Sequence, residues 1–198
     1  MLNALKNQLK LMASDPNDPF TATIRELAGA REAVRYERPL RHMILAMPSM
    51  IAQIRTWFSE PQSPSPRRRL HGFAMSYLYC PDDLLPLQRL GLFGYLDDAY
   101  VVANVYHRSM TEADSTGLRP FAEDERLSRE VSQWLDLARR LLPEETATMD
   151  QMLDEAARTP DRDFSELLSR AAKGSATVRR LERNRASPPP TPQNGELP

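Results

Sequence analysis

Leu2, Leu5, Leu9 and Met12 recur at helical spacing, which predicts an amphipathic helix closed by the turn Asp15-Pro16-Asn17-Asp18-Pro19. Asp18 followed by Pro19 reads as an N-cap and a first helical proline, opening a second helix that turns Phe20, Ile24, Leu27 and Ala28 inward. A third stretch, Leu40 to Phe58, spaces Met43, Ile44, Met47, Ile51, Ile54, Trp57 and Phe58 in the same way. Pro48 in its middle predicts a kink or a division into two shorter helices. After a Ser/Pro run, a short apolar helix ends at Pro81, and a second apolar helix opens at Asp97-Asp98. Beyond a polar connection, Glu123 to Leu142 places Leu127, Val131, Trp134, Leu135, Ala138 and Leu142 on one face. Pro143-Glu144-Glu145 starts the next helix, which buries Met149, Met152 and Leu153 and stops near Pro160. A last helix, Phe164 to Ala172, ends at Gly174, and the basic stretch after it is also a candidate helix. No repeat is present, and the fold class expected is all-α, a multi-helix bundle around a central helix-loop-helix.

These elements divide the chain into an N-terminal helical segment (1–58), a Pro/Ser/Arg linker (59–69), a central core (70–108), C-terminal helices that pack on it (117–183) and a Pro-rich tail (184–198) expected to be disordered. A length of 198 residues suits one domain with extensions. A single cysteine, Cys80, excludes an internal disulfide framework and fits a reducing compartment. No signal peptide or run of about 20 apolar residues is legible, so a cytoplasmic location without a membrane span is expected.

Charge is unevenly spread. Residues 1–69 carry eleven Lys/Arg against six Asp/Glu, whereas residues 70–198 carry fifteen against twenty-one. The basic half makes an anionic surface a candidate partner, with Arg67, Arg68 and Arg69 and, near the C-terminus, Arg179 and Arg180 as its contacts. Nucleic acid is disfavoured, because no aromatic interleaving or recognised nucleic-acid fold accompanies these arginines.

The centre of the chain, Tyr77 to Tyr106, carries the candidate chemistry. Ala99 to Tyr106 is apolar nearly all round except for Asn104, which predicts a helix buried on several sides. Asp97 or Asp98 suits the N-cap of that helix, Gly94 a tight bend before it, and Asp83 a cap for the turn at Leu84-Leu85, while Pro81 and Pro86 stiffen the loop. Asp98 follows the inward face and needs a partner, for which Arg89 is nearest in sequence. Two caps and a packing anchor is the plain reading of the three aspartates, and a carboxylate-only metal or acid/base site is the alternative.

His107 lies nine residues from Asp98, half a turn out of phase and about 13 Å along a helix, so one ion does not bridge them. His71 is likewise out of phase with Cys80, which reads as a small buried core residue, and His42 is expected to face solvent. No metal-ligand spacing, phosphate loop, dinucleotide fingerprint or nucleophile elbow is present, and no cofactor is expected.

Tyr77-Leu78, Pro81, Asp83-Leu84-Leu85-Pro86 and Gly94-Tyr95-Leu96-Asp97-Asp98-Ala99 closely resemble the YkvA-like family, a small helical domain of unknown function in many bacterial proteins. The resemblance covers about residues 68–108. Cys80 stands where the family has serine, and Leu87-Gln88 replaces the acid that follows its proline, which weakens a catalytic reading. The family brings a helical fold, membrane association in some members and no accepted reaction. The function expected is a non-enzymatic interaction or scaffold module, with the cytoplasmic membrane surface as a candidate peripheral location. Trp57, Phe58, Phe73 and Tyr79, if exposed together, would form an interfacial patch there. The alternative is a metal-dependent hydrolase using Asp83, Asp97 and Asp98.

Overall fold

The computed structural model describes residues 2–58, 65–80, 84–115, 125–158, 164–171 and 175–186. Among them every regular element is helical: α1 (Leu2–Ser14), α2 (Phe20–Ala28), α3 (Ala30–Phe58), α4 (Ser65–Tyr77), α5 (Leu87–Leu90), a 3-10 turn (Gly91–Tyr95), α6 (Leu96–Ser115), α7 (Glu125–Leu141), α8 (Pro143–Arg158), α9 (Ser165–Ala171) and α10 (Ala176–Ala186). The all-α expectation holds.

α6 is the axis of the bundle. Ala99, Tyr100, Val101, Val102, Ala103, Val105 and Tyr106 are all fully buried, and the helix packs against α3, α4, α7 and α8. An apolar helix without a solvated face has to be surrounded in this way, because each exposed Val or Tyr would forfeit roughly 1.5–3 kcal/mol of burial. α1 and α2 pack against α3, and α8 lies against α4.

α3 departs from the expected break. It continues through both Pro39 and Pro48 as one 29-residue helix, so the division into two is not realised. Each proline leaves the carbonyl four residues earlier without its amide donor. Met43, Ile44 and Met47 before Pro48, and Met50, Ile51 and Ile54 after it, are all in the core, and that packing outweighs the local loss.

Three boundaries also move. Ser65 to Arg69 belong to α4 and not to a linker, the central apolar helix extends to Ser115, and residues 184–186 continue α10. Residues 59–64 of the expected linker and 187–198 of the expected tail lie outside the described residues. No described helix is long and apolar enough to cross a membrane.

α2 starts one residue later than expected, with Pro19 as its N-cap, and Asp18 holds that start from just outside it. Its Oδ1 accepts from the Phe20 amide (2.9 Å), and its Oδ2 accepts from the Leu92 amide (2.8 Å), tying the start of α2 to the 3-10 turn. Gly91 is required at that contact. It has φ +56°, and a Cβ there would stand 2.5 Å from Asp18 Oδ2 and 2.7 Å from Pro19 Cδ. Gly91→Ala is therefore expected to cost about 2 kcal/mol, from backbone strain plus a displaced cap. Urea unfolding tests this, and an unchanged midpoint would refute the requirement.

Candidate functional site

The motif closes on Asp97. α6 begins at Leu96, so Asp97 lies within its first turn and neither it nor Asp98 is the expected N-cap; Asp97 has no solvent exposure. Its Oδ2 accepts from Tyr77 Oη, at the end of α4, and from the Leu85 amide in the loop, both at 3.1 Å. Its Oδ1 accepts from the Asp98 amide (3.0 Å), within the first turn of α6. One carboxylate thus binds the end of one helix, the connecting loop and the head of the next.

Gly94 serves the same closure by a different means from the bend expected. It does not have positive φ. A Cβ on it would meet Leu87 Cα at 2.7 Å and Leu87 N at 3.0 Å, so its role is close approach of two backbones. Pro86 stands ahead of α5 in an extended conformation, and its carbonyl accepts from the Arg89 and Leu90 amides. Tyr95, which follows Gly94, accepts from Gln8 Nε2 of α1 at 2.7 Å.

Asp98 turns away from Asp97 and lines an apolar cavity between α1, α3 and the end of α4. Arg89, its expected partner, instead forms an ion pair with Glu182 of α10. Asp83 lies outside the described residues. No group of three or more His, Cys, Asp or Glu side chains suited to a metal ion occurs among the described residues.

Comparison with protein-family models, with curated proteins and with solved structures finds no match.

The sequence reading missed a second polar cluster. Asp150 of α8 accepts from Tyr100 Oη (2.8 Å) and Asn104 Nδ2 (2.6 Å) through Oδ1, and from Arg139 Nε (3.4 Å) through Oδ2. Asn104 Oδ1 in turn accepts from Arg108, which pairs with Asp154. Burial, followed by the hydrogen bond to Asp150, pushes the Tyr100 phenol well above its ordinary range. Asn104, the exception in the apolar run Ala99 to Tyr106, was the available signal, since a buried amide demands partners.

His71 and Ser109 form a third buried pair, His71 Nε2 and Ser109 Oγ lying 3.0 Å apart. Both are enclosed in the core, and the His71 ring stacks at a tilt 6.3 Å from Trp57. Burial, with the Arg67 charge as a second cause, lowers the His71 pKa to about 4. His42 is exposed as expected, and Cys80 is half-buried and not part of the core.

The basic run is split. Arg67 is buried and pairs with Glu112 (3.1 Å), because its position on α4 points toward α6. Arg69 donates through Nε and Nη2 to the Ala157 carbonyl at the end of α8 (2.9 and 2.6 Å), which leaves Arg68 as the exposed member. Arg179 and Arg180 are exposed on α10. The expected interfacial patch does not assemble: Trp57 and Phe73 are core residues, Tyr79 is exposed, and the Phe58 side chain lies outside the description.

Asp97→Ala leaves Tyr77 Oη and the buried Leu85 amide without this acceptor and is expected to cost about 3 kcal/mol; Asp97→Asn, which keeps one acceptor oxygen, costs less. Chemical denaturation measures both, and a neutral Asp97→Ala would refute the clasp. His71 yields a pH dependence of definite sign. Its folded pKa lies below the ordinary 6.5, so the unfolded chain binds the proton more readily, and the contribution present above pH 6.5 is lost as pH falls toward 4. Between pH 7 and pH 5 the loss is about 2 kcal/mol. His71→Gln should flatten the stability–pH curve by that amount over this interval, and an unchanged slope would show that His71 is not the group responsible.

Proposed function

We propose that this chain is a YkvA-like, non-catalytic helical interaction module that works at the cytoplasmic face of the membrane. The observation that carries the non-catalytic part is the state of Asp97. A catalytic or metal-binding carboxylate must present an oxygen to substrate or ion. Asp97 is fully buried, with both oxygens committed to donors of its own fold. The hydrolase alternative needs at least two motif carboxylates converging on a reachable cavity; of the two among the described residues, Asp97 is committed to donors of the fold and Asp98 lines a cavity, while Asp83 lies outside them. The motif is then a device for shaping the module, and its surface is what meets partners.

Membrane contact rests on α10. Arg179, Arg180 and Arg183 are exposed there, and Arg179 and Arg183 stand one helical turn apart. Each basic side chain near an anionic leaflet contributes about 1 kcal/mol. Arg67 and Arg69 are withdrawn from this role by their contacts with Glu112 and Ala157.

Co-sedimentation with vesicles containing anionic lipid tests the proposal. Binding at about 50 mM salt should fall steeply by about 200 mM and weaken at least about tenfold in an Arg179→Glu, Arg180→Glu, Arg183→Glu variant. Absence of binding at low salt, or a triple variant that binds as well as the parent, removes the membrane from the proposal and leaves a protein partner.

A further inference from the structure

Leu5 of α1, Met47 and Ile51 of α3 and Met75 of α4 line a partly open cavity of about 140 Å³, with Tyr95 and Asp98 of the motif at its border. Both polar groups are engaged within the protein. The Tyr95 hydroxyl accepts from Gln8 of α1 at 2.7 Å, and Asp98 has an interaction of its own. What the wall offers a guest is therefore aliphatic contact. The same wall bears on how α1 is held. This helix packs on α3 and the 3-10 turn, and Leu9 is its buried residue, so a guest between Leu5 and α3 adds to a small contact.

Size and lining together restrict what fits. Pockets for drug-sized molecules run to roughly 300–1,000 Å³, so this cavity takes a fragment and not a larger ligand. A cavity of about 150 Å³ lined by aliphatic side chains holds a molecule as large as benzene. The two methionines give the wall some freedom to adapt to shape. A charged or strongly polar guest leaves its hydrogen bonds to water and finds no replacement on an aliphatic wall. Water is itself poorly held where few polar partners face it. A neutral hydrocarbon gives up no such bonds and gains the contact, which makes it the guest this lining favours.

We propose that this cavity binds a small neutral hydrocarbon of about benzene size, seated against Leu5, Met47, Ile51 and Met75, and that its occupancy tightens α1 onto the motif. Tyr95 and Asp98 shape the site and form no bond to the guest. The site is separate from the α10 arginines and stands whether or not they contact a membrane.

Methyl-resolved NMR of the full-length protein, labelled at methionine, tests the assignment with toluene, benzoate and benzylamine as probes. Toluene should shift the Met47 and Met75 methyl signals saturably, with a Kd of about 1 mM or lower, while Met149 and Met152 on α8 stay unmoved. Benzoate and benzylamine each have a charge to desolvate and should bind at least about tenfold more weakly. Leu5→Trp fills the cavity from α1 and should abolish toluene binding. Leu11→Trp, at an exposed position on the same helix, should leave the affinity within about twofold of the parent. Amide exchange reads the coupling to α1. At about three times the toluene Kd, amides that exchange by opening of α1 should slow about fourfold. The proposal is overturned if toluene gives no saturable shift up to about 3 mM, if either charged probe binds as tightly, if a folded Leu5→Trp protein keeps the parental affinity, or if α1 exchange is unchanged. Should Leu5→Trp not fold, the probe comparison and the exchange measurement on the parent protein decide alone.

Discussion

A carboxylate enclosed in the centre of a helical bundle is costly unless several donors meet it, and the fold is arranged so that they meet Asp97. Tyr77 Oη, the Leu85 amide and the Asp98 amide reach it from a helix end, a loop and a helix start. That convergence fixes where α4 stops and α6 begins. With those two points fixed, Gly94 has to pass within van der Waals distance of Leu87, and no side chain is tolerated on it. The 3-10 turn that follows is held from the far side by Asp18, which couples the closure to α2. Placement of α6 in turn sets the registry of α3, α7 and α8 around it. The apolar burial along α6 supplies most of the stabilisation but has no direction of its own; the carboxylate supplies the direction.

Much of this was legible in the amino-acid order because helical periodicity is a local signal. The faces of α7 and α8 and the inward positions of α3 follow directly from the spacing of Val131, Trp134, Met149, Met152, Met43 and Met47. Asp18 was legible as a cap, but its second hydrogen bond, to Leu92 seventy-four residues away, was not, since nothing local distinguishes a cap with one acceptor in use from one with two. The division offered at Pro48 is not realised for the opposite reason: proline is a strong local signal, and tertiary burial on both sides keeps α3 one helix. Arg67-Arg68-Arg69 misled because a run of like residues on a helix points in directions about 100° apart, so three arginines in sequence are not three arginines on one face. Adjacent Asp97 and Asp98 diverge by the same geometry, one toward the clasp and one toward the cavity. Which of them does which depends on where α1 and the end of α4 lie, and that is long-range information.

The functional picture follows from how the polar atoms of the centre are used. Asp97, Asn104 and the His71–Ser109 pair are buried and spent on hydrogen bonds within the fold, and the partly exposed Asp150 is bonded to Tyr100 and Asn104. Chemistry on an external molecule requires groups that such a molecule can reach, and among the described residues the arginines on the outer face of α10 are such groups.

The most direct measurement is amide hydrogen exchange at Leu85. This residue sits in a loop outside regular secondary structure, and the bond it donates goes to the Asp97 carboxylate. If that carboxylate is the constraint on which the hairpin depends, the Leu85 amide exchanges only when the molecule unfolds globally, with a protection free energy equal to that of core amides in α6. Exchange at the rate of an open loop, while α6 remains protected, would contradict the account and make the clasp an accessory to a fold determined elsewhere.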